Sequence, residues 1–315
     1  MAALVISFNN KITISNFILL PESFLTFNMI FLSILIEAIP FVLIGVFIAG
    51  MIQVFMTEEH LKKLIPKNKL LAVLTSCLIG ALFPACECGI VPIVRRLIAK
   101  GVPLFAGIGF LLTGPLINPL VVISTYMAFG EDLRMAMLRM GLGLVIAIII
   151  AAIICILFKT NQLKRRKGMP YGSLPVPKQP IGKRIKAMLE HAIDEFFDMG
   201  KFLIIGALLA AFVQTYISTK SMLGLGEGII ASTLVMMGLA FLLSLCSEAD
   251  AFIAASFRHL FPQTSLLGFL IYGPMLDLKN TIMLMAVFNI RFVMVLMSII
   301  TLTVLGILLF VHPWI

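Results

Sequence analysis

Residues 70–94 read LLAVLTSCLIGALFPACECGIVPIV, an apolar run cut near its middle by Pro84-Ala85-Cys86-Glu87-Cys88-Gly89. A bilayer core about 30 Å thick takes about 20 apolar residues as one helix. The run is long enough, but Gly80, Pro84, Gly89 and Pro92 divide it. Proline removes a backbone donor and clashes with the preceding turn. Two arms, over 70–84 and 87–100, each reach about 22 Å. That distance attains the mid-membrane and falls short of crossing. The stretch therefore predicts a re-entrant hairpin whose tip carries two thiols on either side of a carboxylate.

The rest of the chain agrees with a lipid setting. Of 315 residues, 61% are hydrophobic and 12% charged, where a soluble domain carries roughly 25% charged residues. This excludes a soluble enzyme, a disordered chain and an ordinary DNA-binding domain. The net charge is +9, yet nine of the 24 Lys and Arg lie between Lys159 and Lys186, a stretch without acids. Such a segment reads as a topogenic linker on an anionic leaflet; it lacks the aromatic interleaving of an RNA-binding stripe. The five cysteines, Cys77, Cys86, Cys88, Cys155 and Cys246, lie in apolar surroundings and are odd in number, which argues against a secreted disulfide framework. No cleavable signal peptide is evident, because the run over 12–20 is broken by Ser15 and Asn16 and followed by Pro21.

Apolar blocks at 28–56, 70–94, 103–129 and 136–158 precede the linker, and blocks at 192–217, 229–259, 264–288 and 290–311 follow it. Setting Pro103 on Pro262 gives six identities over 17 positions, including Gly114/Gly273 and Pro115/Pro274, with Asn118 on Asp277. Upstream, Glu37 falls on Asp198, Gly45 on Gly206, Gln53 on Gln214 and Cys86 on Cys246. The expected fold is an all-α polytopic membrane protein of two homologous halves. Its parts are an N-terminal segment 1–27, repeat 28–158, basic cytoplasmic linker 159–187 and repeat 188–315. If 70–94 is a hairpin, Lys62, Lys63, Lys67, Lys69, Arg95, Arg96, Lys100 and the linker share the cytoplasmic side, as the positive-inside rule prefers. Each half then has three spanning helices and a re-entrant or broken helix, and the odd number of crossings inverts the second half. Its hairpin enters from outside, near Lys220 and Arg258. The alternative is eight full spans in a parallel repeat.

Non-helical backbone at membrane depth is tolerated where protein buries it or a wet cavity meets it. The breaks should therefore converge on a midplane site. Thiolates bind soft centres, and carboxylates add oxygen ligands. Cys86, Glu87, Cys88, Cys246, Glu248 and Asp250 are the candidate substrate or metal contacts, the acids doubling as proton carriers. Cysteine as a small buried hydrophobe is the plainer reading of each thiol, and hairpin capping that of the acids. Gly114, Pro115, Asn118, Gly273, Pro274 and Asp277 are pore-lining candidates, with a packing kink as the plainer role. Asp277 and Lys279 are spaced to pair locally. Glu37 and Asp198 are proton-coupling candidates, although Asp198 is also placed to pair with Lys201. Gln53 and Gln214 suit hydrogen bonds between helices. His191, Asp194, Glu195 and Asp198 read as the solvated side of an amphipathic segment, or else as a metal-entry face.

At Pro84–Gly89, Thr113–Pro119, Cys246–Phe252 and Tyr272–Asp277 the chain resembles a bacterial predicted-permease family. That family includes the ArsP organoarsenical efflux permeases, and the resemblance is nearest to its YraQ- and YcgR-like members. It covers most of 28–311 and implies a multi-pass plasma-membrane permease; the ArsP branch exports trivalent, thiophilic arsenicals. The expected function is permeation of a small solute, a soft metal or metalloid species, by alternating access through a midplane Cys/acid site. No enzyme activity, resident cofactor or nucleic-acid partner is expected. A second membrane subunit or a homo-oligomer is compatible with the chain. Two rivals stand beside this: a membrane thiol oxidoreductase cycling Cys86 and Cys88, though redox pairs favour Cys-x-x-Cys, and a membrane subunit or scaffold of a complex.

Overall fold

A computed structural model describes residues 22–56, 66, 68–83, 86–164, 181–216 and 228–314. Pro84, Ala85, Lys62, Lys63, Lys67, Lys220, the segment 1–21 and linker residues 165–180 lie outside the described residues. The first half contains α1 (Glu22–Phe55), α2 (Lys69–Ala81), α3 (Glu87–Ala99), α4 (Leu104–Ile117), α5 (Pro119–Ala128) and α6 (Leu133–Leu157). The second contains α7 (Ile181–Tyr216), α8 (Ile229–Leu243), α9 (Ser247–Ser256), α10 (Gln263–Met275), α11 (Leu278–Val287) and α12 (Ile290–Val311). The two series repeat the same order of long, short and broken helices. No strand occurs among the described residues; an isolated antiparallel bridge joins Leu163 to Phe288.

The protein is a multi-pass membrane protein. Ser23–Phe55, Leu104–Ala128, Leu133–Leu157, Gly182–Tyr216 and Ile290–Trp314 are long and apolar enough to cross a bilayer. Many large apolar side chains on α1, such as Met29 and Ile36, face outward, as those of lipid-facing helices should. α4 and α10 are different. Nearly every residue on both is buried, so they form the centre of the bundle and are apolar all round.

Small residues set the packing. A Cβ on Gly80 would strike Thr113 and Phe110, and one on Gly109 would lie 2.9 Å from Cys77 Sγ, so α2 runs parallel to α4. Gly107 abuts Ile98 and Gly114 abuts Ile90, so α3 runs antiparallel to α4. Residues 69–99 therefore turn back toward the end where they began. Each arm has 13 residues, about 20 Å. In the second half Ser232 meets Ser265 and Gly273 meets Ala240, so α8 is parallel to α10.

Contacts within and between the halves fix the two ends of the bundle. At the linker end, Lys100 donates to the carbonyls of Gln53 and Met56, and Arg184 to that of Val54. There Asn289 also donates to the Gln162 carbonyl at 3.0 Å. At the opposite end, Arg258 lies near Gly130, Gln263 near Met135, and Thr264 beside His312 at 2.8 Å. Thus α2–α3 begins and ends at the linker end, whereas α9 closes its turn at the opposite end.

Candidate functional site

Four breaks position the site. Cys86 precedes α3 in extended geometry, and Glu87 opens the helix, where the positive end of the macrodipole favours an acid. Ser244 holds the left-handed conformation at φ 45° and ends α8. Cys246 then caps α9, its Sγ accepting from Ala249 N at 3.4 Å. Asn118 caps α5 by accepting from Leu120 N at 3.0 Å, and Asp277 caps α11 by accepting from Asn280 N at 2.5 Å. Pro115 and Pro274 sit inside α4 and α10 just ahead of these breaks.

The two tips meet at one cavity of about 270 Å³. Cys86, Glu87 and Cys88 from the first tip and Ser244, Leu245 and Cys246 from the second line it. Glu37 on α1, Gln214 on α7 and Lys279 on α11 complete its polar wall. Cys246 lies beside Glu37, and Cys88 beside Cys86. The α1 lining runs from Met29 to Phe41, so the cavity occupies the half of the bundle away from the linker end.

Glu248 and Asp250 lie one turn beyond, outside the lining, as do Gly114, Pro115, Asn118, Gly273, Pro274 and Asp277. The last six are buried around the breaks and shape them from behind. Asp198 is also remote and pairs with Lys201 at 3.3 Å. Gln214 donates to the Leu243 carbonyl at 2.6 Å, the interhelical bond its spacing suggests.

Charges are buried at this level. Lys279 Nζ lies 3.1 Å from Glu87 and 3.7 Å from Asp277, and it donates to the Ser244 carbonyl at 3.4 Å. The pairing of Asp277 with Lys279 follows from their spacing; the bond from the first tip to the second half does not. Arg139 is passed over by a reading of 136–158 as apolar. It is 1% exposed and donates to Thr125 Oγ1 at 2.7 Å and to the Ser247 carbonyl at 3.0 Å. An arginine inside the otherwise apolar run 136–158 is the signal that points to it.

One expectation is corrected. Glu195 is not on a solvated face: it is 1% exposed, lies 2.8 Å from Arg95 and also binds Arg96. Both arginines come from the end of α3, and α7 turns Glu195 inward to meet them. His191 and Asp194 do not join it in a metal site. Among the described residues no three His, Cys, Asp or Glu side chains gather closely enough to hold a metal ion, and all five cysteines are free thiols.

Residues 23–311 match a family model described as a predicted permease, ArsP_1. The chain is 52% identical over 285 residues to the UPF0718 protein YcgR of Bacillus subtilis (strain 168), covering 90% of this chain and 96% of that one. It is 40% identical over 275 residues to a Streptococcus mutans protein named as a subunit of a two-component membrane permease complex, covering 87% and 91%. No solved structure matches it.

Proposed function

The chain belongs to the predicted-permease family, and from that premise we propose that it carries a small thiophilic solute, a soft metal or metalloid species, across the membrane by alternating access. One observation carries the reading: Cys86, Cys88 and Cys246, drawn from both halves, face a single cavity beside Glu37, Glu87 and Lys279. Thiols supply soft donors to the solute, and the carboxylates supply hard ones. The thiols are not gathered into a preformed metal site, so the solute itself would draw them together as the cavity closes. Cys86, Cys88 and Cys246 are the proposed solute ligands, and Glu37 and Glu87 the acids that share the cavity with it. Asn118 and Asp277, with the Gly-Pro pairs ahead of them, hold the breaks open.

The halves are further proposed to form an inverted repeat, divided at 28–158 and 188–315 with the linker cytoplasmic. The opposite entry of the two hairpins supports this, as does the gathering of Arg95, Arg96, Lys100 and Arg184 at the linker end.

The test is flux. The purified chain in liposomes would be given arsenite, a methylated trivalent arsenical, zinc and copper(I) in turn. Uptake of at least one is expected, falling about tenfold or more when Cys86, Cys88 and Cys246 are replaced together by serine, a rise of about 1.4 kcal/mol in the permeation barrier. Absence of both flux and binding for all of them would sink the reading. It would favour a second one, suggested by the name of the Streptococcus relative, in which the chain works only as one subunit of a permease complex.

A further inference from the structure

The two tips match position for position, but they do not carry the same chemistry. Cys86 caps α3 and Cys246 caps α9. Counting four residues in gives Ile90 on the first tip and Asp250 on the second. The geometry repeats as well. The Ile90 side chain fills the notch at Gly114, and Asp250 Oδ2 fills the notch at Gly273, where an added Cβ would lie 2.8 Å away. A notch that takes an isoleucine methyl in one half takes a carboxyl in the other. The fold needs only shape at this place, so the acid serves something else.

Asp250 is 1% exposed, and neither carboxyl oxygen has a hydrogen-bond partner among the described residues. A buried carboxyl in that condition is costly. Its charged neighbours include Arg139, Glu87, Asp277 and Lys279. The helices packed against α9, α5 and α10, carry no Asp, Glu, Lys, Arg or His. Tyr272 on α10 is bonded to Thr301 at 2.9 Å. Arg139 has an orphan of its own: its two terminal nitrogens are bonded, and its buried Nε is not. An unsatisfied acceptor and an unsatisfied donor therefore stand on opposite halves. At the other tip a different bridge between halves, Glu87 to Lys279, is closed at 3.1 Å.

We propose that Asp250 and Arg139 are a positioning pair for alternating access: open in the described conformation, closed into an ion pair in the other, with the Glu87–Lys279 bridge opening in exchange. In the described conformation the ionic bond between halves is at the first tip, and the second is joined to Arg139 only through the Ser247 carbonyl; in the other conformation the ionic bond passes to Asp250. Gly273 is the parking place of the released carboxyl. An equilibrium moves only by what distinguishes its two states, and here the distinction is which bridge is made. The inference rests on the permease reading for its purpose, but its test requires no transported solute.

The native cavity thiols act as the gauge. Their rate of modification by a membrane-impermeant maleimide would be measured on the full chain in liposomes. Asp250→Asn and Asp250→Ile cannot close the pair, so labelling should rise about fivefold or more, the lower range of a conformational coupling. Gly273→Ala expels the carboxyl from its notch, so labelling should fall. Joint exchange, Asp250→Arg with Arg139→Asp, should return labelling toward the wild-type rate. Asp250→Ile also guards against a folding artefact, because Ile90 already occupies the matching place; its melting temperature should stay near that of the wild type. Equal labelling in all the single variants, or a shift of the same sign for Asp250→Asn and Gly273→Ala, overturns the proposal. Labelling shifts of opposite sign with no flux for any solute would keep the switch and remove the permease reading.

Discussion

Lys279 answers two acids from within the protein. Removing its charge leaves Glu87 and Asp277, 2% and 1% exposed, without a counter-ion. Lys279→Met should therefore destabilise the protein by about 3–5 kcal/mol, the usual loss when one partner of a buried pair is deleted. Thermal unfolding in detergent would measure it. Adding Glu87→Gln should recover part of the loss, whereas a Lys279 that serves only as a cavity-wall cation predicts no recovery. Gly45 is a second sensitive position. A Cβ there would collide with the Gly89 carbonyl, which belongs to the helix backbone and cannot rotate away. Gly45→Ala should cost about 1–3 kcal/mol by overpacking, read from the same melting curve. Gly141 has open space around it, so Gly141→Ala should have almost no effect.

At the scale of the element, the end of α3 is held by a clamp. Glu195 takes both Arg95 and Arg96, and Lys100 closes the last turn of α1. Glu195→Ala leaves two cations facing an empty place. It should loosen the linker end, seen as faster amide exchange over 93–100, and lower stability by about 3–5 kcal/mol. The helices themselves were legible in the sequence because lipid imposes a strict grammar: apolar length for a span, Gly and Pro for a break, cations for one face. The interruption between Ala81 and Glu87 and the Gly-Pro pairs at 114 and 273 are of that kind. What was not legible was partnership. Glu87 finds Lys279 nearly two hundred positions away, Arg139 reaches Ser247, and Glu195 crosses to α3. Spacing on one helix reveals Asp198 with Lys201, but it carries no trace of a neighbour supplied by the other half. The Glu195 pattern misled for this reason, since acids at helical spacing look alike whether they face water or two arginines of another helix.

For the whole molecule, the ends of the bundle make a prediction about sidedness. Lys69 and Glu131 are both exposed, at the linker end and the opposite end respectively. In a background stripped of native thiols, Lys69→Cys should react with an impermeant reagent only from the cytoplasm, and Glu131→Cys only from outside. Labelling of both from one face would contradict the inverted arrangement. The cross-bridges have another consequence. The first half holds the acid Glu87 and the bases Arg95 and Arg96; their ionic partners, Lys279 and Glu195, belong to the second, and Arg139 is shared between Thr125 of the first and the Ser247 carbonyl of the second. Among the described residues, the ion pairs of Glu87, Arg95 and Arg96 run only between the two halves. A chain severed between them should accumulate only when both fragments are made together, each acting as the other's obligatory chaperone.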